Sequence, residues 1–408
     1  MLTAGLRKRA AITLGTLLTA GLACAAGLAQ QARADQVRDA QQWVLTLVGA
    51  QQAWPVSQGA GVTVAVIDSG VNPSVPDLTG SVTTGRDYTG VRTRISNSGW
   101  GQHGTWMASL IAGHGHDGGG DGIIGVAPKA RILSLRVITD PADPGYHAYQ
   151  HESSARVQQS LASAIRYAVD RGIGVISMSI GYGGPSEPVR SALQYAYDKN
   201  VVVLASAGNS GRSDQTSHAP YSFPADYPGV VAVAAVNAAG APAGFSSANI
   251  SVQLAAPGVN VPAQGRDGAY WLVSGTSPAC ALTAGVAALI KSAYPRLPAA
   301  LIESAMTSST RHRPRGGYDD SVGFGTVNAP AALTAARRLA HAKPVTAGLA
   351  ASIYFGGGRS AVPSAPVAKR GPGLLVLFVL LAITSLALAT AAGTRIVVLR
   401  RLRARSEG

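Results

Sequence analysis

The sequence is poor in cysteine, in charge and in internal regularity. Only two cysteines occur in 408 residues. Cys24 lies in an apolar stretch that reads as a removable leader, so Cys280 would remain alone and no internal disulfide is expected. An exported domain of this size can manage without one. Charged residues are 13% of the chain, against about 25% in ordinary soluble proteins. That scarcity argues against a highly charged cytosolic protein. The 49 glycines and 23 prolines follow no period, which excludes collagen, and no internal repeat is present. What is abundant is apolar: 47% of the residues are hydrophobic, which excludes wholesale disorder and suffices for a large core. The length points to one large domain with appendages.

The formal net charge of +14 suggests nucleic acid until it is mapped. Nine bases lie at the ends: Arg7, Lys8, Arg9 and Arg33, then Arg395, Arg400, Arg401, Arg403 and Arg405. Without them and Glu407, residues 35–373 carry 25 bases against 19 acids, a net of +6. The basic ends therefore read as membrane-topology signals, and no nucleic-acid partner is expected. Residues 1–34 combine the basic Arg7-Lys8-Arg9, an apolar run from Ala10 to Leu28 and the small-x-small Ala32-Arg33-Ala34. This is the layout of a secretory signal peptide, with an uncleaved anchor as the alternative. Leu374 to Thr394 is a stretch of 21 residues without a charge. As a helix it would be about 31 Å long, matching a bilayer core of ~30 Å. The Arg-rich tail 395–408 would stay cytoplasmic and residues 35–373 outside. Residues 340–373, rich in Ala, Gly, Pro and Ser, read as a linker, and 35–60 as an N-terminal extension in which Trp43, Leu45, Leu47 and Trp54 pack on the domain.

Between these lies residues 61–339, an alternating α/β domain. Apolar runs predict strands over 62–67, 131–138, 174–180, 201–206 and 230–236. Helical spacing predicts helices over 104–112, 154–170, 189–199, 277–293 and 298–307. Such alternation predicts a mainly parallel central sheet with helices on both faces and a site beyond the carboxyl ends of its strands.

Four short motifs stand at strand ends and helix starts. Asp68 closes Val64-Ala65-Val66-Ile67, where a buried carboxylate needs a partner. His103 opens His103-Gly104-Thr105 ahead of an apolar helix. Ser277 ends Ser274-Gly275-Thr276-Ser277 before another helix, and Asn209 ends Ala205-Ser206-Ala207-Gly208-Asn209. Taken singly, each has an ordinary reading as turn residue, cap or satisfied imidazole.

Together, in the order Asp68, His103, Asn209, Ser277, they resemble the subtilisin-like serine proteases, the subtilases, from about Trp54 to Leu333. Gly125-Val126-Ala127-Pro128, Met178-Ser179-Ile180-Gly181, Ala255-Ala256-Pro257-Gly258 and Gly323-Phe324-Gly325-Thr326-Val327-Asn328 strengthen the likeness. The resemblance implies a subtilisin-like fold and acyl transfer by a serine endopeptidase. Ser277 would be the nucleophile, His103 the general base and Asp68 its orienter. Asn209 and the Ser277 N–H would hold the oxyanion. Met178, Ser179, Ile180 and Gly181 on one side, and Ala205, Ser206, Ala207 and Gly208 on the other, would bind an extended peptide in an open, neutral pocket. Pro278 and Ala281 depart from the family pattern, but Ser277 keeps its own N–H, and Pro suits a first helical turn.

Only 33 residues separate Asp35 from Asp68, too few for the long inhibitory prodomain of many secreted subtilases. Short extension, peptidase domain, linker, membrane helix and basic tail resemble the mycosins, subtilases associated with type VII secretion. Protein substrates, the membrane and secretion-machinery proteins are then the implied partners. A stabilising subunit with secondary proteolysis is the alternative. No cofactor is expected. His114-Gly115-His116-Asp117 through Asp121 lacks diagnostic ligand spacing and reads as a solvated loop, so no metal site is assigned. The loop from Asp140 to His151 is expected to border the substrate channel.

Overall fold

The computed structural model describes residues 34–116, 121–211 and 221–342, together with the single residue 385. The predicted signal peptide apart from Ala34, nearly all of the linker, the predicted membrane helix 374–394 apart from Ser385 and the basic tail lie outside the described residues. Among the described residues no helix is long and apolar enough to cross a membrane.

Seven strands form one parallel sheet in the order β2-β5-β1-β6-β7-β8-β9. They are β1 (Thr63–Asp68), β2 (Val82–Asp87), β5 (Arg131–Arg136), β6 (Val175–Met178), β7 (Val202–Ser206), β8 (Val230–Val236) and β9 (Val252–Pro257). Two antiparallel pairs complete the strands: β3 (His114–His116) with β4 (Asp121–Ile124), and β10 (Val261–Gln264) with β11 (Tyr270–Val273).

The sheet is buried on both faces, as parallel sheets require. Along β1 the period of two sends Val64 and Val66 into one core and Ala65 and Ile67 into the other. The second core is covered by α5 (Ser154–Asp170) and α6 (Glu187–Asp198), through Leu161, Ile165, Val189 and Leu193 among others. On the first side lie α3 (Gln102–Ala112), α7 (Thr276–Ala293), α8 (Ala299–Thr307) and α9 (Ala329–His341). Helix α7 is buried from Pro278 to Ile290, so it is apolar on every side instead of amphipathic. A short helix, α4, spans Tyr146–Gln150.

The N-terminal extension is built into this first core. Helices α1 (Ala34–Val48) and α2 (Ala50–Ala53) contribute Val44, Leu45, Val48, Ala50 and Ala53, with Trp43 and Trp54 packed against them. Polar groups fasten it too. Buried Gln41 donates to Ile124 O at 2.7 Å and accepts from Ile124 N at 3.1 Å. The Arg38 guanidinium takes the carbonyls of Gly122 and Asp121 at 2.9 and 3.0 Å, and Trp54 donates to Val126 O.

Chain direction produces a crevice. From β1 the chain builds β2 and β5 on one side of β1, whereas β6 to β9 extend on the other. Ligands of open α/β sheets bind at the carboxyl ends where the order reverses. Asp68 is the last residue of β1, and Ser179 follows the end of β6.

Candidate active site

Asp68 is fully buried at the end of β1. Its Oδ1 accepts from His103 Nδ1 at 2.8 Å and from Ser69 N at 2.6 Å. His103 is the second residue of α3, and its side chain is 26% exposed against 0% for Asp68. The imidazole thus spans from a buried carboxylate to solvent, while its edge meets the Trp106 ring at 6.2 Å between centroids. Close approach of α3 to the turn after β1 depends on glycine. A Cβ on Gly104 would stand 2.2 Å from Gly70 O. Burial opposes the imidazolium, but the Asp68 charge, its hydrogen bond and the Asp140 charge outweigh it, and the pKa of His103 is pushed up to about 9.

Ser277 is the second residue of α7. Gly275, not Ser277, is the N-cap, so the serine sits just inside the first turn. Its N–H belongs to the first four of a helix, which have no intrahelical acceptor. Pro278 also falls in that turn and removes no helix bond. Ser277 Oγ donates to Ser179 O at 3.4 Å, and Ser179 Oγ returns a bond to Ser277 O at 3.0 Å. No hydrogen bond joins His103 and Ser277, a common condition of nucleophile and base before substrate binds.

Asn209 follows β7. Its Oδ1 accepts from Thr276 N at 2.9 Å and from Thr276 Oγ1 at 3.0 Å. With the carbonyl end occupied, the amide NH2 faces Gly275, where a Cβ would lie 3.3 Å from Nδ2. Thr276 belongs to this constellation, and sequence reasoning did not single it out. Its only signal was its place between Gly275 and Ser277.

A cleft beside Ser277 is lined by Ser179, Gly181, Tyr182 and Gly183 along one wall and Ser206, Gly208, Asn209 and Ser210 along the other. Tyr221, Ser222 and Thr276 close it. Of the eight residues expected to bind peptide, Ser179, Gly181, Ser206 and Gly208 line this cleft. Met178, Ala205 and Ala207 are buried in the cores, and Ile180 packs partly buried against one of them. The reason is strand alternation: successive side chains point to opposite faces. These four could meet a peptide through the backbone alone.

The Asp140–His151 loop begins at His103 but contributes no residue to that cleft lining. Asp140 accepts from Gln102 N and His103 N. Arg136, 2% exposed at the end of β5, binds Asp143 at 2.7 Å and Asp87 at 2.5 Å and donates to Ser69 O at 3.2 Å. It also lies over the Trp100 ring at 5.6 Å.

The two histidines of this stretch bond within the protein. His114 bonds Gly115 O and Thr79 O, and His116 Nδ1 bonds buried Asp77 at 2.7 Å. Among the described residues no group of three or more His, Cys, Asp or Glu is placed to hold a metal ion. Cys280 is buried, and burial pushes its thiol up to about 12, so it stays a thiol at neutral pH.

Similarity to known proteins agrees with this arrangement. The profile of the subtilase family matches residues 59–325. Mycosin-1 of Mycobacterium tuberculosis is 34% identical over 334 residues, covering 72% of this chain and 73% of its own. Subtilisin E of Bacillus subtilis is 34% identical over 274 residues, covering 67% of this chain and 66% of its own. The solved structure of the MycP3 protease from the type VII (ESX-3) secretion system is similar with a TM-score of 0.62 and 31% identity, over 71% of this chain and 87% of that one. The chain belongs to the subtilase family and is a subtilisin-like serine endopeptidase related to the mycosins.

Proposed function

We propose that this endopeptidase cleaves proteins outside the cytoplasm with a triad of Asp68, His103 and Ser277, held at the membrane by residues 374–394 and serving type VII secretion. The observation that carries the triad is the 2.8 Å bond from His103 to a fully buried Asp68, at the end of the sheet where the α7 N-terminus presents Ser277. His103 takes the Ser277 proton as Oγ attacks the peptide carbonyl, and returns it to the leaving amine. Asp68 keeps the imidazole in the tautomer with the proton on Nδ1 and stabilises the imidazolium. Asn209 Nδ2 and Ser277 N–H receive the oxyanion, assisted by the positive end of α7. Walls of Ser179–Gly183 and Ser206–Ser210 pair with an extended peptide, and among the described residues the cleft lining holds no acidic side chain to select a basic residue. The leader at 1–34 and the Arg-rich tail support export and anchoring. The likeness to mycosins supports the secretion role.

Labelling of the membrane fraction with a fluorophosphonate probe tests the triad. Wild type is expected to give a band that Ser277→Ala abolishes. A folded wild type that does not label would overturn the reading. In the native host, secretion that survives Ser277→Ala but fails on deletion would instead assign the protein a stabilising role.

A further inference from the structure

Helix α3 begins without a cap of its own. Its N-cap is Gly101, at φ 74° and ψ 29°, which offers no side chain to the first N–H groups. Those donors are nonetheless satisfied, from two other parts of the chain. Gly104 N donates to Ser69 Oγ at 3.0 Å. Gln102 N donates to Asp140 Oδ2 at 2.7 Å, and His103 N to Asp140 Oδ1 at 3.2 Å. Both carboxylate oxygens of one residue, some 37 positions along the chain, thus hold the two residues at which the catalytic helix starts.

Asp140 is only 7% exposed, so this carboxylate is not a solvated loop charge. The segment that bears it is anchored. Asp140 O accepts from Asp143 N, and Asp143 is held by buried Arg136. Gly99 must be glycine for the fit, since a Cβ there would overlap Ala142 O.

We propose, resting on the triad reading above, that Asp140 is a positioning residue of the active site: it caps the His103 helix from a distant loop and holds a second negative charge against that histidine. A buried carboxylate at a helix N-terminus is favoured by the helix dipole and by charge-assisted bonds to N–H groups. The same charge favours the imidazolium that forms when His103 takes the serine proton. The charged groups that face His103 are Asp68 from β1 and Asp140 from the loop after β5. With both oxygens engaged on backbone, Asp140 is not free to bind a basic substrate side chain.

The test compares wild type, Asp140→Asn and Asp140→Ala in the full chain. The imidazole of His103 is titrated by NMR of isotope-labelled histidine, its signal identified as the one missing in His103→Gln. Asp140→Asn removes the charge and keeps an acceptor for one of the two helix N–H groups, its NH2 meeting the other. It is expected to lower the His103 pKa by about half a unit or more, and to move the acidic limb of kcat/KM to lower pH by the same amount. Asp140→Ala is expected to show that shift and, in addition, a loss of about tenfold or more in kcat that Asn restores in part. A midpoint for His103 unchanged in both variants, whatever their thermal stability, would overturn the proposal, because a merely structural cap would alter melting alone. The NMR titration reads Asp140 even in an enzyme that does not label with fluorophosphonate, so failure of the triad reading and failure of this proposal remain distinguishable.

Discussion

Thr276 holds Asn209 by two bonds to one atom: its N–H and its hydroxyl both reach Asn209 Oδ1, at 2.9 and 3.0 Å. Its hydroxyl oxygen also accepts from Gly208 N at 3.1 Å. The residue before Ser277 therefore decides which end of the Asn209 amide faces the cleft.

Asn209→Ala should reduce kcat about 100- to 1,000-fold with little change in KM, as for loss of one oxyanion donor. Thr276→Val should lose part of that, about tenfold, because the amide keeps the backbone N–H bond but loses the one from the hydroxyl. In the double variant the losses should not add, since Thr276 acts through Asn209. Steady-state kinetics on a peptide ester checks this, and additive losses would show that Thr276 has another role.

As the proposed base, His103 works only when neutral, and its pKa is raised to about 9, above the ordinary value near 6.5. Activity should therefore appear as pH rises through an alkaline midpoint. The pH profile of kcat/KM should still be climbing between pH 7 and 8. A plateau already reached at pH 7 would show that burial of the imidazole outweighs the charges of Asp68 and Asp140.

Arg136 is the charge on which the rim of the site depends. Removing it in Arg136→Met would leave Asp143, whose side chain is fully buried, without its ion partner. Stranding a buried charge costs about 3–5 kcal/mol. Arg136→Lys should recover only part, because one ammonium cannot serve Asp87, Asp143 and Ser69 O with the fork geometry of a guanidinium. Urea denaturation of the three proteins measures the difference.

Ser222 stands between the two cleft walls. A Cβ on Gly181 would lie 2.5 Å from Ser222 Oγ, and one on Gly208 3.3 Å from Ser222 Cβ. Ser222→Gly should make room for larger substrate side chains beside the scissile bond. Relative kcat/KM for Phe over Ala at that position is expected to rise about tenfold or more, the scale of one to a few methylenes in a pocket. Gly181→Ala should act in the opposite direction in the same assay.

Some elements were legible because their pattern is strong and local. Helix α5 and strand β8 match the predicted 154–170 and 230–236 residue for residue. One has apolar residues at helical spacing, and the other is an unbroken apolar run. Strand β2 has no place in the sequence reading. It is an edge strand with a Gly inside it and only partly buried or exposed positions, so no apolar alternation marks it. Strand β6 ends at Met178, not at Ile180, because the residues beyond leave the sheet to form the cleft wall.

By itself the sequence determined five of the seven sheet strands, all but β2 and β9, five of the helices packed on them, the burial of the sheet on both faces and the four residues at strand ends and helix starts. Periodicity and short motifs carry that information, since they depend on neighbours a few positions apart. The tertiary structure alone decided which half of each of these segments lines the cleft, that Thr276 orients Asn209, and that Asp140 and Arg136 hold the His103 side of the site. Those relations join residues tens of positions apart, and only the packing of β1, β5 and α3 brings their charges and N–H groups within hydrogen-bonding distance.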